Sequence, residues 1–261
     1  MNEGESVDID QLPKVSVVFV TYDRLVTLRP TLNSFLANTD YPRQKLELIV
    51  TDDASPSKVQ NEIKQMPFDV FCLSRKRTGL GANCNRGMEA ATGEFILQLQ
   101  DDWRCVGPAS YLRNAVEALT RSPETGLVLL KPNPNNLPVC HLIQLTCGKL
   151  QVYQNRPDVT PASVSEHGYS DWPHLKRREF VLDIGPYREK CPMWEAELDY
   201  SRRVNAQNRW CVGDLRDVDA FEHIGEEYSY NWPWKKRLDF LFRRLPAGGR
   251  LLAFYRNRRH R

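Results

Sequence analysis

A chain of 261 residues that is 41% hydrophobic and 26% charged has ordinary globular composition, which excludes a mainly disordered protein and leaves room for one large or two small domains. Net charge is +3 but unevenly placed. Residues 235–261 carry ten Lys/Arg against one acid, Asp239, whereas the first 234 carry 26 basic and 32 acidic residues, so a mildly acidic body precedes a basic tail. Apolar runs such as Val17–Val20 fall far short of the about 20 residues of a membrane-spanning helix, and the N-terminus MNEGESVDID has no apolar leader. These features predict a cytoplasmic protein. Seven cysteines, none in a C-x-x-C pair, predict buried reduced thiols and neither a zinc site nor a disulfide framework.

In chain order, Val15–Tyr22 (VSVVFVTY) is a near-continuous β-branched run, the pattern of a strand buried on both faces. Leu25, Leu28, Leu32, Phe35 and Leu36 follow at helical spacing, with Pro30 tolerable near the helix start. A second strand, Leu46–Thr51, stops at the loop Asp52-Asp53-Ala54-Ser55-Pro56, and a short third covers Val70–Ser74. Gly79–Thr92 reads as a loop entering a helix, closed by Gly93 at a C′ position. Glu94–Gln100 is a fourth strand ending at Asp101-Asp102. A helix over Ala109–Arg121, a strand at Gly126–Leu130, and strand-like VCHLIQL and KLQVYQ come next. Residues 155–179 read as a polar loop, Phe180–Ile184 as a strand, Glu195–Asn205 as a helix and Trp210–Val212 as a short strand.

Strands alternating with helices imply βαβ units and a mostly parallel sheet, in which ligands bind beyond the carboxyl ends of the strands. Three polar clusters fall at such ends: Thr21-Tyr22-Asp23-Arg24, Asp52-Asp53 and Asp101-Asp102. Adjacent carboxylates repel unless a cation sits between them, and hard oxygen donors suit Mg²⁺ or Mn²⁺ bridging a diphosphate; a solvated turn would carry the same two acids. A carboxylate at the second strand end can accept from the ring N–H of uracil, thymine or guanine, or can cap its own turn. Arg77 and the glycine-flanked segment from Gly79 precede a helix whose N-terminus favours phosphate, though no G-K-[ST] follows. Glu195, Glu197 and Asp199 lie in the first turns of a helix, where the macrodipole favours acids with or without a catalytic role.

The segments SVVFVTYDR (16–24), ELIVTDDAS (47–55), RTGLGANCNRG (77–87), ATGEFILQLQDDW (91–103) and WEAELDYSRR (194–203), in that order and spacing, resemble the inverting family 2 glycosyltransferases of GT-A fold over roughly residues 13–230. The resemblance implies one Rossmann-like α/β catalytic domain over 13–231. Its nucleotide-sugar-binding half would span 13–105 and its acceptor-binding half 106–231, with a basic tail over 232–261. It implies a UDP-, GDP- or dTDP-type sugar donor, a divalent metal (Mn²⁺ or Mg²⁺), a glycan or lipid-linked acceptor hydroxyl, and a place in polysaccharide biosynthesis. Asp52, with Asp53, would read the base beside Thr21 and Tyr22. Asp101 would meet ribose or sugar, and Asp102 would hold the metal with His223, whose H-I-G context is similar to the family's C-terminal histidine. The family's A-R-N-x-G is here Asn83-Cys84-Asn85-Arg86-Gly87, so Asn85 and Gly79 join the donor set while Arg24, Arg77 and Arg86 compete for the diphosphate. Aligning Asp199-Tyr200 and Arg203 with E-D-x-D-L-x-x-R puts Glu197 on the catalytic base, with Asp199 second and Glu195 third.

Two other readings stand beside this one. A sugar-nucleotidyltransferase wants a Gly-rich basic signature after the first strand, where Thr21-Tyr22-Asp23-Arg24 stands instead, and a non-catalytic nucleotide-sugar or glycan-binding module would keep the fold alone. In the tail, Leu238, Leu241, Phe242 and Leu245 form one apolar stripe among Lys235, Lys236, Arg243 and Arg244. Such a helix either lies in a membrane interface, making the protein peripheral on the cytoplasmic membrane face, or docks on the body. No nucleic-acid-binding module accompanies the charge.

Overall fold

The computed structural model describes residues 11–132, 137–155 and 169–225. The expected basic tail, 232–261, and most of the expected polar loop lie outside them. The chain divides after Glu222 into two compact units, 1–222 and 223–261. The first holds the fold.

Its N-terminal half alternates as the pattern requires: β1 (Val15–Thr21), α1 (Leu25–Asn38), β2 (Leu46–Asp52), α2 (Ser57–Ile63), β3 (Val70–Leu73), α3 (Leu80–Ala90) and β4 (Phe95–Gln100). Then come β5 (Trp103–Cys105), α4 (Tyr111–Arg121), β6 (Thr125–Leu129), β7 (Val139–Gln144), β8 (Lys149–Tyr153), β9 (His174–Arg177), α5 (Arg178–Ile184), α6 (Met193–Ala206), β10 (Cys211–Leu215) and β11 (Phe221–His223). Nine strands form one sheet in the order β3-β2-β1-β4-β9-β6-β10-β8-β7. Among the described residues only β8 and β9 run against the other seven, so the sheet is mostly parallel.

The unbroken apolar runs follow from burial on both faces. Val15, Val17 and Phe19 of β1 join Leu48, Val50, Leu97 and Leu99 on one side, under Leu28, Leu32 and Phe35 of α1 and Leu112, Ala115 and Leu119 of α4. Val18 and Val20 join Ile49, Ile96, Leu127 and Leu129 on the other, against Cys84 of α3, Phe180 and Ile184 of α5, and Tyr200 and Val204 of α6. Successive residues of one strand thus feed two different cores. No helix among the described residues is long and apolar enough to cross a membrane.

Four expectations need correction. Phe180–Ile184 is helical, not a strand: Phe180 and Ile184, four apart, turn inward while Leu182 between them is exposed. The strand of this region is instead β9, inside the stretch read as polar loop, and its polar letters hid it. His174 and Lys176 are fully buried, and Lys176 Nζ donates to Gln98 Oε1 at 2.8 Å across the β4–β9 pair. Gly93 is not a helix C′ residue, because α3 ends at an extended Ala91. Glycine is needed there for close approach: a Cβ would stand 2.6 Å from Ser16 N and 2.8 Å from Lys14 O. The cysteines are all free, but only Cys84 and Cys105 are buried, and Cys140 and Cys147 are exposed.

The amino ends of β1 and β2 are tied by one carboxylate. Glu47 Oε1 accepts from Lys14 Nζ (2.8 Å) and Thr92 Oγ1 (2.7 Å), while Oε2 accepts from the Thr92 N–H (2.9 Å) and Ser16 Oγ. Burial pushes the Glu47 carboxyl up, but these bonds outweigh it and hold the group at about 2. A group depressed in the folded state stabilises above its unfolded value and loses that contribution as pH falls through the folded one. Glu47→Gln is therefore expected to cost about 1–3 kcal/mol at pH 7. The gap between variant and wild type in urea unfolding should close as pH falls from 4.5 towards 2. A gap that stays constant over that range would show that the charge of Glu47 does not stabilise this corner.

Candidate functional site

The site is set by register. In parallel pairing Thr21 faces Asp52 and Val20 faces Gln100, so the carboxyl ends of β2, β1 and β4 lie side by side. The Asp53 N–H donates to Thr21 O (3.2 Å) and the Asp101 N–H to Val20 O (3.1 Å), which carries both acid pairs onto the end of β1.

Asp101 and Asp102 are both buried there. Thr21 Oγ1 donates to Asp101 Oδ2 at 2.6 Å, and Arg24 Nη1 lies 3.3 Å from Asp101 Oδ1 and 2.8 Å from Asp102 Oδ2. Burial, aided by the charge of Asp102, pushes the Asp101 carboxyl up to about 7 against the pull of Arg24 and Thr21. One guanidinium thus faces two carboxylates.

The neighbouring acids are built into their loops. Asp52, fully buried, accepts from the Ser55 N–H (2.9 Å), Ser55 Oγ and Gln60 Nε2 (2.8 Å), an Asx-type turn closed by a helix side chain. Ser55 Oγ also accepts from the Asp23 N–H (2.7 Å), tying the loop after β1 to the loop after β2. Both loops bend through left-handed backbone, at Asp23 (φ 51°) and Ala54 (φ 66°), which ordinary side chains rarely adopt. Asp53 accepts from the Thr78 N–H (2.9 Å), Thr78 Oγ1 (2.8 Å), the Gly79 N–H (2.8 Å) and Arg86 Nη2 (3.2 Å). Burial would raise its carboxyl, and these donors hold it below the usual range instead. Gly79 is glycine because it enters α3 at φ 91°. Arg77 stacks over the Tyr22 ring at 4.3 Å. Arg24, Arg77 and Arg86 are therefore each placed at this edge. Asn85 is not: its amide binds Tyr187 N and O (2.8 and 3.0 Å) and Glu189 Oε1 (3.0 Å).

The three acids of α6 have different surroundings. Glu195 lies 3.8 Å from Arg188. Asp199 pairs with Arg203 at 3.0 Å, and Arg203 in turn donates to Ile184 O at the end of α5 and to Pro186 O just beyond it. Glu197 Oε1 accepts from the Asp171 N–H at 3.0 Å, with Ser170 Oγ at 3.5 Å. Burial, then the charge of Asp171, pushes the Glu197 carboxyl up to about 7. Trp172, next to Asp171, packs against Trp103, next to Asp102, with ring centroids 6.1 Å apart, which joins the two acidic clusters. His223 is exposed and opens the second unit.

Sequence reasoning offered the capped turn at Asp52, which Ser55 closes, but missed Gln60, Thr78 and Asp171. The spacing Asp52-x-x-Ser55 is a readable turn signal. Asp171 had none, because it lies in the stretch read as loop.

Comparison with known proteins adds the following. Residues 16–132 match the Glycosyl transferase family 2 model. A GalNAc(5)-diNAcBac-PP-undecaprenol beta-1,3-glucosyltransferase of Campylobacter jejuni is 32% identical over 96 residues, 35% of this chain and 30% of its own. A putative glycosyltransferase, EpsH of Bacillus subtilis, is 33% identical over 98 residues, 36% of this chain and 27% of its own. The chain thus spans under a third of the length of these relatives. Among solved structures, S. aureus TarS 1–349 in complex with UDP superposes with TM-score 0.59 at 19% identity, covering 88% of this chain and 64% of that one. The mannosyltransferase PcManGT from Pyrobaculum calidifontis, in complex with GDP-Man and Mn²⁺, gives 0.56 at 20% identity, covering 90% and 64%. These two likenesses are of fold, and the fold is GT-A. The stretch that matches the family model holds β1 to β4, both acid pairs and Arg24.

Proposed function

We propose that the chain is an inverting, metal-dependent glycosyltransferase that moves a sugar from a nucleoside-diphosphate sugar to a hydroxyl of a glycan or lipid-linked acceptor. The observation that carries this reading is the convergence of Asp52-Asp53 and Asp101-Asp102 on the end of β1, with Arg24 across the second pair. The domain is taken as 13–231, its donor half as 13–105 and its acceptor half as 106–231. Thr21, Tyr22, Asp52 and Asp53 form the edge that meets the base. Gly79 and Arg77 border it, Asn85 ties α3 to Tyr187 and Glu189, and Asp101 meets ribose or sugar.

A divalent ion fits the donor set. Asp101 and Asp102 offer hard carboxylate oxygens, and the guanidinium of Arg24 already stands where positive charge is required. Asp102 would hold the ion, with His223 as the proposed further ligand; among the described residues no three His, Cys, Asp or Glu groups converge. When bound, the ion supplies positive charge to the departing diphosphate. Glu197, placed by Asp171 and held up near 7, is suited to take the acceptor proton at neutral pH. The freed oxygen then attacks the anomeric carbon from the face opposite the diphosphate, which leaves with the bonding pair, so the configuration inverts.

Thermal unfolding with UDP, GDP and dTDP, each with and without Mn²⁺, tests the donor site. Binding at 100 times the dissociation constant adds about 2.7 kcal/mol. Asp102→Ala is expected to abolish the Mn²⁺-dependent part of the shift; an unaltered shift would remove Asp102 from the metal site. A nucleoside diphosphate as product separates this reading from a nucleotidyltransferase, which would release pyrophosphate.

Glu197→Gln is expected to leave nucleotide binding near normal and cut turnover by about 10²–10⁴. Asp199→Asn, which loosens only the Arg203 pair, should lose far less. The opposite ranking in steady-state rates would move the base by two residues.

A further inference from the structure

Behind Glu197 lies a closed polar cluster that the proposed reaction leaves without a role. Asp171 is buried, and its Oδ1 accepts from the Tyr169 hydroxyl. The Tyr187 hydroxyl lies 2.6 Å from that of Tyr169, 3.1 Å from Gln98 Oε1 and 3.3 Å from Asp171 Oδ1, with one proton to give among them. Gln98 Oε1 also takes a proton of Lys176 Nζ. The Tyr200 ring stacks on Tyr187 at 4.2 Å and meets Tyr169 at 5.0 Å, closing the cluster from α6. Asp171 Oδ2 is buried with no hydrogen-bond partner. A buried carboxylate oxygen without a protein donor is costly, and such a group asks for an explanation.

We propose that Asp171 is a positioning residue for Glu197: its backbone N–H fixes Oε1 of the base, and its buried carboxylate holds negative charge beside Glu197 so that the base stays strong enough to take a proton. This rests on the reading of Glu197 as the base. The charges facing the pair are few. Burial pushes the Asp171 carboxyl up, against the pull of the Tyr169 hydroxyl, the Lys176 charge and the Tyr187 hydroxyl. Lys176, itself pushed down to about 8 chiefly by burial, donates to Gln98. His174 on β9 is held neutral by burial and by Lys176. Tyr169, Tyr187 and Tyr200 are held protonated by burial and by Asp171 itself, and the Cys84 thiol of α3 by burial first. Arg203 sits outside the cluster, over the Tyr200 ring at 5.0 Å. Asp171 is thus the acidic neighbour of Glu197.

The test reads Glu197 directly, in the full chain with glutamate carboxyls labelled with ¹³C and the Glu197 signal identified by its loss in Glu197→Gln. Its midpoint is expected near 7 in the wild type. In Asp171→Asn, which keeps the backbone donor and the shape, it should fall by about one pH unit. Asp171→Glu, which keeps the charge, should restore it. Should Asp171→Asn not fold, Tyr169→Phe serves in its place. Without its donor Asp171 takes up a proton at higher pH, less negative charge then faces Glu197, and the midpoint falls in the same direction. An unmoved midpoint in the folded variant overturns the proposal. Failure of the base reading would look different: Glu197→Gln would still release nucleoside diphosphate from a UDP-sugar at the wild-type rate, whatever the titration did.

Discussion

The arrangement depends on β1 being hydrogen-bonded on both edges to strands that run its own way. Parallel pairing with β2 and β4 carries three carboxyl ends to one line. Because β1 is buried on both faces, it cannot slip by one residue without turning Val18 and Val20 into the wrong core. Register fixed by packing is what places Asp52, Thr21 and Asp101 within reach of one another. The acids then need no long side chains to meet.

The same geometry explains how each acid is treated. Two elements end in adjacent carboxylates, but their surroundings differ. Asp53 collects four donors from the entry of α3 and is held ionised. Asp101, with one hydroxyl and a shared guanidinium, is not. The first pair stiffens a loop, and the second shares the one guanidinium of Arg24. The left-handed turns at Asp23 and Ala54 belong to the same stiffening, since Ser55 clamps both loops at once.

Much of this was legible in the sequence, and the reason is physical. β1, β2 and β4 announce themselves because strands buried on both faces must be apolar at every position, and an acid pair at the end of such a run has few structural uses. β9 was illegible for the complementary reason. Lys176 is tolerated in the middle of the sheet because Gln98 on β4 accepts from it, and His174 Nδ1 meets the Trp172 carbonyl; no local pattern reports a partner some eighty positions away. α5 was misread because seven residues hold less than two helical turns of periodicity. On α6 the spacing of Glu195, Glu197 and Asp199 is visible in the chain, but what separates them is not: Arg188 and Arg203 come from tertiary contacts, and so does Asp171.

The position of β9 also has a consequence for how the sheet is completed. The four strands at the N-terminal end can pair through local βαβ crossovers, but β4 then presents a bare edge until residues 174–177 arrive from much later in the chain. Closure at that seam is a contact of long sequence separation, the slow and association-prone kind. The strand that fills it carries His174, Lys176 and Arg177, residues that resist pairing with a stray apolar edge and are comfortable only beside Gln98 and the backbone carbonyls of Leu119 and Thr125. The polarity that hides β9 from sequence reading is thus also what makes it a poor partner for any strand but its own neighbours.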